Sequence, residues 1–186
     1  METVPASATK TFEKDSTVQA YNKAGSVIQT FTIPSSLAHF KTDTKEGQLR
    51  RQAISMAINR EAITTKVLNG VATPAVEFTS PLTPGFSKNI PGNENLKYNP
   101  TKAKKLWAEA NAISKYTGTL TFSYNADGGS KPIYEAVVNQ LKNNLGINAA
   151  TNPIATFQEF RDPITKRQMT GAFRPRWTPA YPSPED

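Results

Sequence analysis

The residues best suited to hold another molecule lie near the end of the chain, in Phe173-Arg-Pro-Arg-Trp-Thr-Pro-Ala-Tyr181. Arg174 and Arg176 each offer a planar, permanently charged fork that matches a carboxylate with paired N–H donors. Trp177 and Tyr181 add large apolar area with a polar handle, suited to covering a side chain. A plainer alternative is an edge strand whose Trp fills the core and whose arginines are solvated; composition alone favours it. The second candidate is Tyr124-Asn-Ala-Asp-Gly-Gly-Ser130. Loops after sheet strands are where α/β folds hold ligands, and Tyr124 and Asn125 stand at such a point. The glycines and the helix start that follows could receive an anion on backbone N–H groups. Its alternative is a flexible turn with Ser130 as the helix cap. Neither Gly-x-x-x-x-Gly-Lys-Ser/Thr nor Gly-x-Gly-x-x-Gly occurs, so no nucleotide site is expected.

Other chemistry is narrowed by what the chain lacks. It has no cysteine, which removes disulfides, thiol nucleophiles and thiolate metal sites. The one histidine, His39, would have to serve any Ser-His-Asp triad, and a multi-histidine metal site is excluded. Beside Phe40 in a polar stretch, His39 reads as structural or solvated. Glu109, Glu135 and Glu159 fall at helical surface spacings rather than as a convergent pair. No catalytic residue, no metal site, no cofactor and no enzyme are therefore expected.

The net charge is +7. The lysines and arginines, Arg50 and Arg51 among them, are scattered, with no long basic run interleaved with aromatics, and read as a solvated charged surface. The alternative, a basic α/β module for nucleic acid or an anionic partner, predicts binding that falls steeply with salt. No run approaches the roughly 20 apolar residues of a membrane span. Met1-Glu-Thr-Val-Pro lacks a basic start and an apolar core, so any secretion signal is expected outside this segment.

Several elements must position these groups. Val18–Asn22 and Ser26–Ile33 have the β-branched content and period-two pattern of strands. From about Lys45 to Ile58 the spacing of Leu49, Ala53, Met56 and Ala57 predicts a helix with one buried face. Asn59 is a candidate N-cap for a second helix to about Leu68, closed by Gly70. Residues 71–96 form a long Pro/Gly loop with Val76, Phe78, Leu82 and Phe86 as anchors. Asn99-Pro100 opens a helix with Ala103, Leu106, Trp107 and Ala110 inside. Strand 117–124, helix 131–145, strand 147–154, helix 156–168 and strand 169–177 follow. Expected inside these helices are Ile133, Val137, Leu141 and Leu145, then Phe157, Phe160 and Ile164. The alternation is an α/β pattern with strands aligned by right-handed crossovers.

One series of motifs is more specific. Leu49-Arg-Arg-Gln-Ala-Ile-Ser-Met-Ala-Ile-Asn-Arg-Glu-Ala-Ile63 is followed by Gly70-Val-Ala-Thr-Pro-Ala75 and by Tyr98-Asn-Pro-Thr-Lys-Ala-Lys-Lys-Leu-Trp-Ala-Glu-Ala110. This order resembles the oligopeptide/dipeptide solute-binding proteins of bacterial ABC importers, over roughly residues 28–186. There an Arg-x-Ala-hydrophobic helix ends in an Asp/Asn-Arg-x-x-Ile turn, before a Pro-Ala loop and a Tyr-Asp/Asn-Pro-x-Lys-Ala-Lys helix.

The resemblance implies an α/β, periplasmic-binding-protein-like lobe with a mixed sheet and flanking helices. It implies that residues 1–186 are a single lobe, the second of a two-lobe receptor, with the first lobe missing. The full receptor would lie outside the cytoplasm, in the periplasm or anchored at the cell surface. It would close on a peptide or other small solute by a hinge and deliver it to an ABC permease in the membrane; nucleic acid is not an expected partner. Arg174 and Trp177 match a family Arg and Trp by spacing, the Arg meeting a peptide carboxylate and the Trp lining a side-chain pocket. Tyr181-Pro-Ser-Pro184 matches a family turn. Ala180 stands where the family has the Asp that holds the peptide ammonium. The expected ligand-binding set is Arg174, Trp177, Tyr181, Arg176, Tyr124 and Asn125, and the isolated lobe is expected to bind peptide weakly.

Overall fold

A computed structural model describes residues 6–19, 21–23, 25–178, 181 and 183, without the side chain of Trp177. The chain divides into two compact units. The smaller is drawn from residues 1–28, 60–90 and 177–186, the larger from 29–59 and 91–176.

At the centre of the larger unit is β2 (Thr119–Asn125), flanked in a parallel sheet by β3 (Asn148–Ile154) and β4 (Ala172–Phe173). The expected inward residues Leu120, Phe122 and Tyr124 are buried, and so are Ser123 and Asn125. A central parallel strand is covered on both faces, so burial is nearly continuous rather than alternating. β4 can approach β2 only because residue 171 is glycine: a Cβ there would lie 2.0 Å from Thr121 Oγ1. The strand expected over 169–177 is interrupted at Arg174-Pro175, and β5 (Arg176–Trp177) pairs instead with β1 (Ile28–Gln29). Of the strand expected over 26–33, β1 and an antiparallel bridge from Thr32 to Phe173 form.

Helices cover this sheet. α5 (Lys131–Leu145) has the expected limits and stops at Gly146, whose φ of 68° suits glycine. Its buried stripe is Tyr134, Val137, Val138 and Leu141, rotated from the expected one; Ile133 and Leu145 are only half-buried. Tyr134 sets that rotation. Its ring stacks on Tyr124 at 5.4 Å and 12°, and its hydroxyl donates to Thr30 O at 2.7 Å. Ser130 stands before α5 but does not cap it; its Oγ accepts from Gln29 Nε2 at 3.2 Å. α6 (Phe157–Thr165) begins with a capping box from Thr156 and Glu159, which satisfies two backbone N–H groups reciprocally. It buries Phe160, while Phe157, expected inside, is half-exposed at 50%.

α2 (Lys45–Met56) and α4 (Pro100–Ile113) pack on each other. Thr44 caps α2 and Asn99 caps α4, with Asn99 Oδ1 accepting from Lys102 N at 2.9 Å. Leu49, Ala53, Met56 and Ala57 are buried as expected. Arg50 and Arg51 are not the solvated charges expected. Arg50 has no exposed surface. Its Nε donates to Glu46 Oε1 at 3.0 Å, both Nη groups donate to Asn111 Oδ1 at 3.1 Å, and Nη2 also donates to Ser114 O. Its Cζ lies 4.5 Å from the Trp107 ring centroid, a cation–π distance. Arg51 donates to Phe40 O at 2.8 Å and to Ile33 O and Pro34 O at 2.9 and 3.1 Å. His39 contacts Glu46 at 2.7 Å, which places it in this structural cluster.

In the smaller unit, α1 (Thr9–Lys14) was not anticipated. Residues 18–22 form no strand where described; Ala20 lies outside the described residues. α3 (Arg60–Ala62) runs into a π-helical turn, Ile63–Val67, rather than a continuous α-helix. Asn69 and Gly70 follow at positive φ, 50° and 79°. Three of the four expected apolar anchors of the long loop are exposed, and Phe86 is half-buried. Phe78 is 89% exposed and Leu82 and Val76 are also exposed. Polar contacts tie it instead: buried Ser80 donates to Gly25 O at 2.9 Å, and Ser87 N donates to Glu77 Oε1 at 2.8 Å. No helix among the described residues is long and apolar enough to cross a membrane.

Candidate functional site

Parallel pairing brings the ends of β2, β3 and β4 to one edge of the sheet. Asn125 ends β2 opposite Ile154 of β3, and Ser123 lies opposite Phe173 of β4. Arg174 follows Phe173 directly. Its backbone N–H donates to Ser123 O at 2.9 Å, so the ladder extends through the arginine although strand geometry ends before it. On the other flank, Thr32 and Phe173 exchange N–H···O bonds of 2.9 Å in both directions. Arg174 is thus backed by hydrogen-bonded chain on two sides.

Its side chain is 8% exposed and lies over the Phe160 ring, with Cζ 5.9 Å from the centroid. Nε donates to Asn125 Oδ1 at 3.0 Å. Asn125 is itself buried and passes the bond on, its Nδ2 donating to Asp127 Oδ1. The other carboxylate oxygen, Asp127 Oδ2, accepts from Phe157 N at 3.1 Å, at the start of α6. Among the described residues, Arg174 hydrogen bonds use its backbone N–H and Nε alone. The two Nη groups, the half of the fork that meets a planar anion, are uncommitted there.

Burial pushes the Arg174 guanidinium below the ordinary arginine value, which leaves it charged near neutrality because arginine starts so high. Asp127 is exposed. The hydrogen bond from Asn125, then that from Phe157 N–H, hold its carboxyl below the usual aspartate value. Burial drives the Tyr134 phenol well above its normal range, so Tyr134 stays neutral. The edge therefore holds a buried guanidinium linked through an amide to an exposed carboxylate.

Of the six residues expected from sequence, Arg174 and Asn125 are brought into direct contact. Tyr124, 1% exposed, is built into the core through its stack on Tyr134. Arg176 is exposed in β5. Trp177 and Tyr181 belong to the smaller unit; the Trp177 side chain and Ala180, Pro182 and Pro184 lie outside the described residues, and Tyr181 is 53% exposed. Asp127 and Phe157 were missed. A signal existed in Asn125-Ala-Asp-Gly128: a Cβ on Gly128 would come within 2.5 Å of Asn125 Nδ2, so the glycine marks a close approach. No group of three or more metal-ligating side chains gathers among the described residues.

The model of the bacterial extracellular solute-binding proteins, family 5 Middle, matches residues 1–186. The chain belongs to this family. It is 30% identical over 164 residues to a probable ABC transporter-binding protein of Deinococcus radiodurans, covering 79% of this chain and 27% of that protein. It is also 30% identical over 166 residues to the periplasmic murein peptide-binding protein MppA of Escherichia coli, covering 84% of this chain and 30% of that protein. The solved structure of that murein tripeptide-binding protein superposes with a TM-score of 0.79 at 25% identity, over 97% of this chain and 35% of the other. The periplasmic-binding-protein fold is thereby established, and this chain spans about a third of the length of such relatives.

Proposed function

We propose that residues 1–186 form one lobe of an extracytoplasmic solute receptor that captures peptides for an ABC importer. The receptor closes over its ligand by a hinge and docks on a membrane permease. The relatives named as peptide-binding proteins support this reading. The observation that carries it is Arg174: a guanidinium anchored through Nε at the sheet edge, with neither Nη group hydrogen-bonded among the described residues. A carboxylate meets those groups bidentately, and the free C-terminus of a peptide supplies one. Ala180 offers no carboxylate for the peptide ammonium, so recognition rests more heavily on the acidic end.

Calorimetry on the full-length protein tests this with tri- and tetra-alanine, each with a free and an amidated C-terminus. Free-acid peptides are expected to bind, amidated ones about tenfold or more weakly, the scale of losing one charge-assisted pair. Equal binding of both forms, or binding unchanged in Arg174→Ala, would overturn the proposal.

A further inference from the structure

Arg174 does not stand alone at the sheet edge, and the geometry points to Asp127 as the residue that positions it. This rests on the reading of Arg174 as a ligand-facing group. The four groups in line are Phe157 N–H, the Asp127 carboxylate, the Asn125 amide and Arg174 Nε. The direction of the line is fixed at both ends. Arginine can only donate, and an ionised carboxylate can only accept. Asn125 between them has one orientation that satisfies both, Oδ1 toward Arg174 and Nδ2 toward Asp127. Without the carboxylate, Arg174 Nε alone orients the amide and the buried Nδ2 loses its acceptor, which loosens the hold on Nε.

Two further observations set Asp127 apart from an ordinary loop aspartate. It is exposed, yet both oxygens are used, one by the strand end and one by the first turn of α6. It therefore joins the element beneath the arginine to the helix whose Phe160 ring lies under the guanidinium. The neighbouring Gly128 leaves the space that Asn125 occupies, since a Cβ there would press on the amide. Burial of Asn125 makes the orientation costly to lose, because a buried amide must keep its partners. The result is a positioning residue that meets no ligand itself. It holds the amide that holds Nε.

The test reads Arg174 directly. In the 15N-labelled full-length protein, hydrogen exchange of the Arg174 Nε–H is followed in the wild type, Asp127→Ala, Gly128→Ala and Glu159→Ala. Glu159 serves as the structural control: it also caps α6 but does not touch Asn125. Asp127→Ala and Gly128→Ala are expected to accelerate exchange about tenfold, the order of one hydrogen bond lost, with Glu159→Ala near wild type. Exchange in Asp127→Ala and Gly128→Ala no faster than in Glu159→Ala would overturn the proposal. Tri-alanine binding separates this from the functional reading. If exchange responds to Asp127→Ala while Arg174→Ala leaves peptide binding intact, the positioning stands and the ligand assignment falls.

Discussion

Arg50 and Arg174 are both buried arginines in the larger unit, and they differ in what their forks meet. Arg50 spends every nitrogen: on Glu46, twice on Asn111 and on Ser114 O, with Trp107 against its face. Its counter-ion touches it directly, with Nη2 2.9 Å from Glu46 Oε1. Among the described residues Arg174 spends one side-chain nitrogen, and its nearest carboxylate in the network is reached through Asn125. A saturated buried charge is a structural joint, and further binding there would break bonds already made. On the proposed function, a charge held by its shaft, with its tip unspent among the described residues, gains a partner from the ligand. The same residue type at similar depth thus has two different partner inventories, which separate the two arginines where burial does not.

The comparison can be broken most readily at Arg50. Truncation to Ala leaves Glu46 with His39 alone, strips Asn111 Oδ1 of two of its donors and opens a void against Trp107. It is expected to cost about 3–5 kcal/mol, read as a fall in the urea midpoint. A loss under about 1 kcal/mol would mean that the cluster is not a joint. Arg174→Ala should behave in the opposite sense. Stability falls by about 1–3 kcal/mol, the cost of leaving one buried amide oxygen unsatisfied, while peptide affinity of the full-length protein falls about tenfold or more. A stability loss as large as that of Arg50→Ala would erase the distinction.

Acid sharpens the contrast through the two carboxylates. Burial works to raise the Glu46 carboxyl, but hydrogen bonds from His39 and Arg50 hold it below its ordinary 4.5. Asp127 is held below 3.8, chiefly by Asn125. A depressed folded value means that the stabilisation is full above the unfolded value and is lost as pH falls through the folded one. Urea midpoints should therefore decline below about pH 4.5. Glu46→Gln should flatten more of that decline than Asp127→Asn, because Glu46 pairs directly with a buried charge. At the small end, Lys131→Ala removes an exposed pair to Glu135 at 3.9 Å and should shift stability by less than about 0.5 kcal/mol.

Local signals carried much of the architecture. Asn99-Pro100 opened α4 and Gly146 closed α5 because cap and stop chemistry acts over a few residues. What local pattern did not reveal depends on distant partners. Arg50 sits on a helix as any surface arginine would, and its burial is decided by Asn111 and Ser114 of another segment. The α5 stripe turned because Tyr134 stacks on Tyr124, a strand residue. Val18–Asn22 has a strand's composition, yet its described residues pair with nothing as a strand. At the site, Arg174 and Asn125 were each legible from residue type and position after a strand. Their bond was not, nor was Asp127, whose role follows from the bend at Gly128 that brings its carboxylate to Asn125 and to Phe157 N–H.

Arg51 has a wider reach than its place on α2 suggests. Its guanidinium gathers the carbonyls of Ile33, Pro34 and Phe40, and the segment so gathered begins one residue after Thr32, the backbone partner of Phe173. A helix side chain thereby cross-stitches the strip of chain that borders the Arg174 strand. The firmness of the Arg174 strand is inherited in part from a helix outside the sheet, much as a bracket takes its stiffness from the wall stud behind the plaster.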